Sequence, residues 1–360
     1  MLCCKDMSDP HYNRSLIPRP KVKKKKNFKT PLTGAILGLG LFTLVLFSFP
    51  SILAHDLEVE QAKINIERAF PVTVFPKHKT IVENPAVEAF LTTSPVSGLS
   101  ATAVQAGNIF TWLAIRISEL SAYKQVAGIA GIDSLFITIY PGYREEQVAN
   151  AFGAVLNWTP SQKKAFLKDA HALQPELLEG IFVPGTYFVG VTDPAEVATI
   201  TDERFKKEIL ARYGTTTQAQ VPLEDALTIA SLLEREAGDW EDMRLISGVI
   251  WNRLFVGMNL QIDATLQYAK AEKKLGTAGK YWEKVVPKDK YIKSTYNTYQ
   301  NDGLPPGPIS NSSIAAVLAA LNPKKTDCLF YFHDKYGRFH CSPTYEGHVK
   351  LLKEQYGQGK

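Results

Sequence analysis

The chain has 360 residues, 45% hydrophobic and 21% charged, the make-up of a folded globular protein and not of a disordered one. Its net charge of +5 comes from one run, Lys21, Lys23, Lys24, Lys25, Lys26 and Lys29; the remainder is near neutral, which argues against nucleic acid as a partner of the folded part. The four cysteines show no CxxC or Cys/His spacing, so neither a metal site nor a cofactor is expected.

Leu32 to Ala54 carries no charge and has the length of a bilayer-crossing helix, about 20 apolar residues. The lysine run precedes it, and His55, Asp56, Glu58 and Glu60 follow. That asymmetry predicts a single-pass anchor in the plasma (inner) membrane with a cytoplasmic N-terminus and everything beyond Ala54 outside. The lysines would also hold anionic membrane lipid. A cleaved signal peptide is the alternative; it fits less well because the apolar run is long and begins late.

Val59–Ala69 reads as a helix leaving the membrane, Ser94–Gly107 as a loop, and Phe110–Val126 has helical apolar spacing. Leu135–Tyr140 is strand-like, Pro141-Gly142 a turn, and Glu145–Leu156 a helix with Val148, Phe152 and Val155 on one side. Thr159-Pro160 opens another helix. Phe182–Val189 is a second aromatic strand region, and Phe205–Tyr213 a charged amphipathic helix.

Pro222 opens the strongest helix, which Gly238 closes. Leu223, Ala226, Ile229, Ala230, Leu232, Leu233 and Ala237 form its apolar arc. Glu236 falls inside that arc and Glu234 at its other edge. A carboxyl on a buried face has a raised pKa, as a general acid working near neutral pH needs. An ion-paired glutamate, facing Arg244 or Arg253, fits the pattern as well. Residues two apart on a helix point apart, so Glu234 and Glu236 are not a carboxylate pair acting across one bond.

A helix over Glu241–Leu254 ends at Gly257, and Met258–Thr265 alternates polar and apolar residues. Tyr296-Asn297-Thr298-Tyr299 then precedes Leu304-Pro305-Pro306-Gly307-Pro308. Aromatic rings beside amides and hydroxyls suit sugar binding; a rigid turn with half-buried tyrosines is the plainer reading. Ser310–Leu321 is a helix capped by Ser310 or Asn311. Leu329–His333 and Arg338–Ser342 flank a turn, a hairpin that brings Cys328 near Cys341; backbone geometry decides whether they pair. HExxH, GxSxG and Gly-rich phosphate loops are absent from the sequence.

The ordered stretches Leu178–Tyr187, Ala230–Ala237, Val249–Leu254, Gly257–Thr265, Tyr296–Tyr299 and Gly303–Ile309 resemble the endolytic murein transglycosylases, the MltG or YceG-like family, over about residues 134–355. The resemblance implies cleavage of MurNAc–GlcNAc bonds in nascent glycan strands, leaving 1,6-anhydro ends, by one glutamate used first as acid and then as base. It places that glutamate at Glu236, with Glu234 the alternate. Asn252, Gln261, Asp263, Thr265, Tyr296, Asn297, Thr298 and Tyr299 would bind the glycan, and wall synthases would be partners. The family often carries a LysM-like module after its anchor; here only Leu135–Leu156 looks like part of one. It also tends to place His, Phe and Thr before a final His. Phe339, His340, Cys341 and Thr344 precede His348 here, so the first histidine is displaced or replaced.

The expected fold class is α+β: one N-terminal transmembrane helix, a small LysM-like or membrane-proximal module, and a mixed α+β catalytic domain. The expected divisions are a cytoplasmic basic tail (1–31), the span (32–54), a membrane-proximal module or stalk (55–133), a LysM-like accessory region (134–215) and the catalytic domain (216–360). The rival readings are a non-catalytic tether to the wall and a hydrolase that uses water with Asp263 as its activator.

Overall fold

The computed structural model describes residues 69–93, 135–273 and 281–357. The chain divides into two units, residues 1–48 and 49–360, and every described residue belongs to the second. The basic tail, the expected span at 32–54, the Ser94–Gly107 loop and the Phe110–Val126 helix lie outside the described residues. Among the described residues the fold is α+β, with ten α-helices and three two-stranded antiparallel sheets.

The expected fold class needs one correction. No helix among the described residues is long and apolar enough to cross a membrane. The longest, Trp240–Val256, has 17 residues and buries Arg244 and Arg253. It is a core helix, because its guanidinium groups find partners in the protein that lipid would not supply.

Residues 69–93 hold a short hairpin, β1 (Val74–Phe75) and β2 (Thr80–Ile81), and helix α1 (Pro85–Thr93). This segment packs into the main core: Phe70 N–H donates to Arg212 O at 2.8 Å and Thr73 N–H to Leu321 O at 3.0 Å. Glu88 on α1 accepts from the buried Arg244 and from Lys324. The Arg244 hydrogen bond, the largest influence, brings its carboxyl down to about 2.

A strand–helix–helix–strand unit follows: β3 (Leu135–Ile139), α2 (Glu145–Leu156), α3 (Pro160–Leu173) and β4 (Gly185–Val189). The strands pair from Leu135↔Val189 to Ile139↔Gly185. Helix α2 has the limits its sequence pattern predicts, and α3 starts at Pro160 with the Thr159 hydroxyl accepting from Gln162 N–H. Phe152, Phe166 and Phe182 are buried between these elements. Helix α4 (Pro194–Glu208) lies along α3 and departs from expectation. It begins at Pro194, where the Asp193 side chain accepts from two backbone N–H groups, and it ends before Ile209. That Asp-Pro start outweighs the charge pattern around Phe205.

The remainder is α5 (Thr215–Gln220), α6 (Leu223–Glu236), α7 (Trp240–Val256), α8 (Asp263–Lys273), α9 (Ile314–Leu321), the hairpin β5 (Phe330–His333) with β6 (Phe339–Ser342), and α10 (Tyr345–Tyr356). Helix α9 is buried from Ala315 to Leu321 and packs against both α6 and α7. Its cap is Ser313, neither Ser310 nor Asn311. Asn311 instead ties two regions together, accepting from Phe182 N–H at 2.8 Å and donating to Tyr143 O at 2.9 Å. One continuous apolar core joins all three segments.

Candidate active site

Helix α6 stops at Glu236 because Ala237 turns extended and Gly238 N–H is taken by Asp242 Oδ2 at 2.7 Å, on the first turn of α7. The last three residues of α6 therefore serve three different neighbours. Glu234 Oε1 accepts from both the N–H and the hydroxyl of Ser313, the cap of α9. Arg235 lies over the Trp282 ring, 4.1 Å from its centre. Glu236 Oε2 accepts from the Tyr331 hydroxyl at 3.1 Å, across the gap to β5.

Burial pushes the Glu236 carboxyl up from its ordinary value. The Tyr331 hydrogen bond opposes this, nearby Asp263 adds to it, and the Ala264 N–H and His333 oppose it again. Burial also raises Glu234, but its two Ser313 bonds hold it as an acceptor at a helix N-terminus. The two glutamates thus share a direction of shift and differ in surroundings: Glu234 faces a helix cap, Glu236 faces a hydroxyl, a second carboxyl and an imidazole.

Asp263 begins α8 and is exposed; its Oδ1 accepts from the Tyr299 hydroxyl at 2.7 Å. The Lys290 ammonium sits 4.7 Å from the centre of the Tyr299 ring. Gln261 precedes α8 with φ of 51°, a left-handed conformation unusual for a residue with a Cβ. Its N–H donates to Thr298 O at 3.0 Å and its side chain is exposed. Arg253 holds the same loop from below, donating to Leu260 O and to Leu329 O.

Of the eight residues expected to bind ligand, Asp263 and Tyr299 lie together near Glu236 and Gln261 is exposed just before them in the chain. The rest are placed differently. Asn252 donates to Thr326 O and Cys328 O. Thr265 and Thr298 are buried and bond each other at 2.9 Å. Asn297 is fully buried, donating to Lys290 O and Ile292 O and accepting from Tyr299 N–H. Tyr296 packs on Tyr268 with ring centres 4.5 Å apart. Thr265, Asn297 and Thr298 shape the loop that presents Asp263 and Tyr299, while Asn252 fastens the segment leading into β5.

The sequence reading passed over Tyr331 and His333. Strand alternation was the available signal: in Phe330-Tyr331-Phe332-His333 the two polar-tipped residues share one face. Tyr331 reaches Glu236, and His333 Nε2 lies 2.8 Å from Asp242 Oδ2. The pairing of Cys328 with Cys341, open in the sequence, is made, with Cα atoms 5.7 Å apart. No group of three or more His, Cys, Asp or Glu among the described residues is arranged to hold a metal ion.

A family model described as YceG-like matches residues 79–354. The chain belongs to the YceG-like family. It is 35% identical over 185 residues to the endolytic murein transglycosylase of Bacillus subtilis, a match covering 51% of this chain and 49% of that protein. It is 30% identical over 247 residues to the endolytic murein transglycosylase of Streptococcus pneumoniae, covering 61% of this chain and 44% of that one. The chain thus spans about half the length of the curated relatives it matches. A crystal structure of a YceG-like protein from Listeria monocytogenes superposes with a TM-score of 0.52 and 31% identity, over 60% of this chain and 75% of that one. The YceG-like match runs through α6, the Glu236 site and the β5–β6 hairpin.

Proposed function

We propose that this YceG-like domain is a lytic transglycosylase that cuts peptidoglycan glycan strands between MurNAc and GlcNAc. The observation that carries the reading is the Glu236 carboxyl, raised by burial at the end of α6 and facing Asp263 and Tyr299. The names of the related bacterial proteins support the same chemistry.

Protonated Glu236 would give its proton to the glycosidic oxygen as the C1–O bond breaks, so GlcNAc leaves as an alcohol. The 6-hydroxyl of the same MurNAc then attacks C1, and the Glu236 carboxylate takes its proton. Glu236 returns to its starting state and no water is consumed. Holding that hydroxyl against C1 gives an intramolecular attack with a large proximity advantage. Tyr299, fixed by Asp263 below it, offers an aromatic wall for a sugar face.

Mass spectrometry of fragments from uncrosslinked glycan tests the reading. Ends lighter by one water, the 1,6-anhydro form, are expected; undigested glycan in every condition would favour the non-catalytic tether instead. Glu234 serves as the internal control. Glu234→Ala leaves the Ser313 N–H without its carboxylate, so urea unfolding should show a loss of about 1–3 kcal/mol. Cleavage per folded molecule should persist.

We place the domain's work outside the cytoplasm. The Cys328–Cys341 disulfide supports this, since such bonds persist in oxidising compartments. New glycan strands appear there, and the synthases that extend them would be its neighbours.

A further inference from the structure

Strand β5 is only four residues long, yet it is fastened from several directions. The Cys328–Cys341 bond closes its base. Asn252 on α7 donates to Thr326 O and Cys328 O at 2.8 and 3.1 Å, and Arg253 to Leu329 O at 2.6 Å. His333 at its far end bonds Asp242 through its ring, and its carbonyl accepts from the Tyr356 hydroxyl at 2.7 Å. Phe330 and Phe332 turn to the aromatic side chains of α10. The opposite face aims Tyr331 at the end of α6.

The Tyr331 ring stacks on Phe339, centres 5.8 Å apart, a contact phenylalanine would make as well. Packing therefore does not account for the hydroxyl, which donates to Glu236 Oε2. Burial, and then the Glu236 charge, hold the phenol well above its ordinary value, so it stays a donor throughout.

We infer that Tyr331 is a positioning residue for Glu236: by holding Oε2 it leaves Oε1 as the oxygen that gives and takes the proton. This rests on the acid–base reading of Glu236 above. The proton leaves Oε1 for the departing sugar oxygen as C1–O breaks, and the new carboxylate keeps the Tyr331 bond on Oε2. Oε1 then receives the proton of the attacking 6-hydroxyl, and Tyr331 never loses its own. The other groups facing the pair are Asp263 and the Ala264 N–H from α8, Tyr299 from the loop beside it, His333 from β5, and Arg253 and Asp242 from α7.

The test is Tyr331→Phe in the full chain, read in two ways. The first is the titration of the Glu236 carboxyl by carbon NMR on glutamate-labelled protein, its signal assigned by loss in Glu236→Gln. The hydroxyl favours the carboxylate, so its removal should raise the Glu236 pKa by about one unit. The second is kinetics on glycan: kcat should fall roughly tenfold with KM unchanged, while the alkaline limb of the pH profile moves up. An unmoved Glu236 titration, or an unchanged kcat, overturns the inference. The titration needs no substrate. If the wild type cuts no glycan, the functional reading fails, and the NMR result still decides whether Tyr331 holds Glu236.

Discussion

Glu236→Gln is expected to lower glycan cleavage by about 10³-fold or more while leaving the thermal unfolding midpoint close to that of the wild type. Glutamine fills the same space at the end of α6 and can still accept from the Tyr331 hydroxyl, so the hairpin keeps its partner. It cannot release a proton to a leaving oxygen or take one back. The same carboxyl fixes the pH dependence. Cleavage needs the protonated form, so activity is full below the folded pKa and falls as pH rises through it. Burial puts that pKa above the ordinary glutamate value, and the alkaline limb of kcat/KM should lie correspondingly high. Wild-type rates from Glu236→Gln would remove this residue from the chemistry.

Asn297→Ala should be among the most damaging changes to stability, about 3 kcal/mol by urea denaturation. The side chain is fully buried, and its three bonds satisfy the Lys290 and Ile292 carbonyls and the Tyr299 N–H. Its loss takes that partner from the Ile292 carbonyl and the Tyr299 N–H, while Lys290 O keeps its bond from the Gln300 side chain. Tyr299 would then lose its fixed approach to Asp263. A variant of wild-type stability with only a raised KM would mean that Asn297 instead touches glycan directly.

These two residues show what the chain's own letters reveal. The placement of Glu236 within an apolar arc was legible because helical periodicity is a local property, and α6 runs with few irregularities from Leu223. The α+β character and the β5–β6 hairpin were legible for the same reason. Which of Glu234 and Glu236 faces Asp263 and Tyr299 was only partly so. The answer depends on Ser313, 79 residues later, which caps α9 while Asn311 is drawn into bridging Phe182 N–H and Tyr143 O. A run of Ser310, Asn311, Ser312 and Ser313 offers four similar caps, and tertiary contacts choose among them. The Tyr-Asn-Thr-Tyr stretch reads as a ligand surface because its side chains have the right chemistry. Asn297 and Thr298 direct theirs inward, which no local pattern reports. The charges around Phe205 point to a later helix, while the start signal of α4 lies at Asp193-Pro194.

Hairpin geometry explains another departure. The resemblance leaves the family's first histidine displaced or replaced; in the hairpin, His333 pairs directly across the sheet from Phe339. An imidazole therefore still stands on the sheet beside Glu236, carried by the neighbouring strand and held by Asp242.

The central claim is that Glu236 turns the sugar's own hydroxyl into the nucleophile. The most direct measurement is digestion of purified glycan by the wild-type protein in heavy-oxygen water, with mass analysis of the new MurNAc ends. The expected result is anhydro ends carrying no heavy oxygen, absent when Glu236→Gln replaces the wild type. Reducing ends with heavy oxygen at C1 would contradict it and make this YceG-like protein a hydrolase.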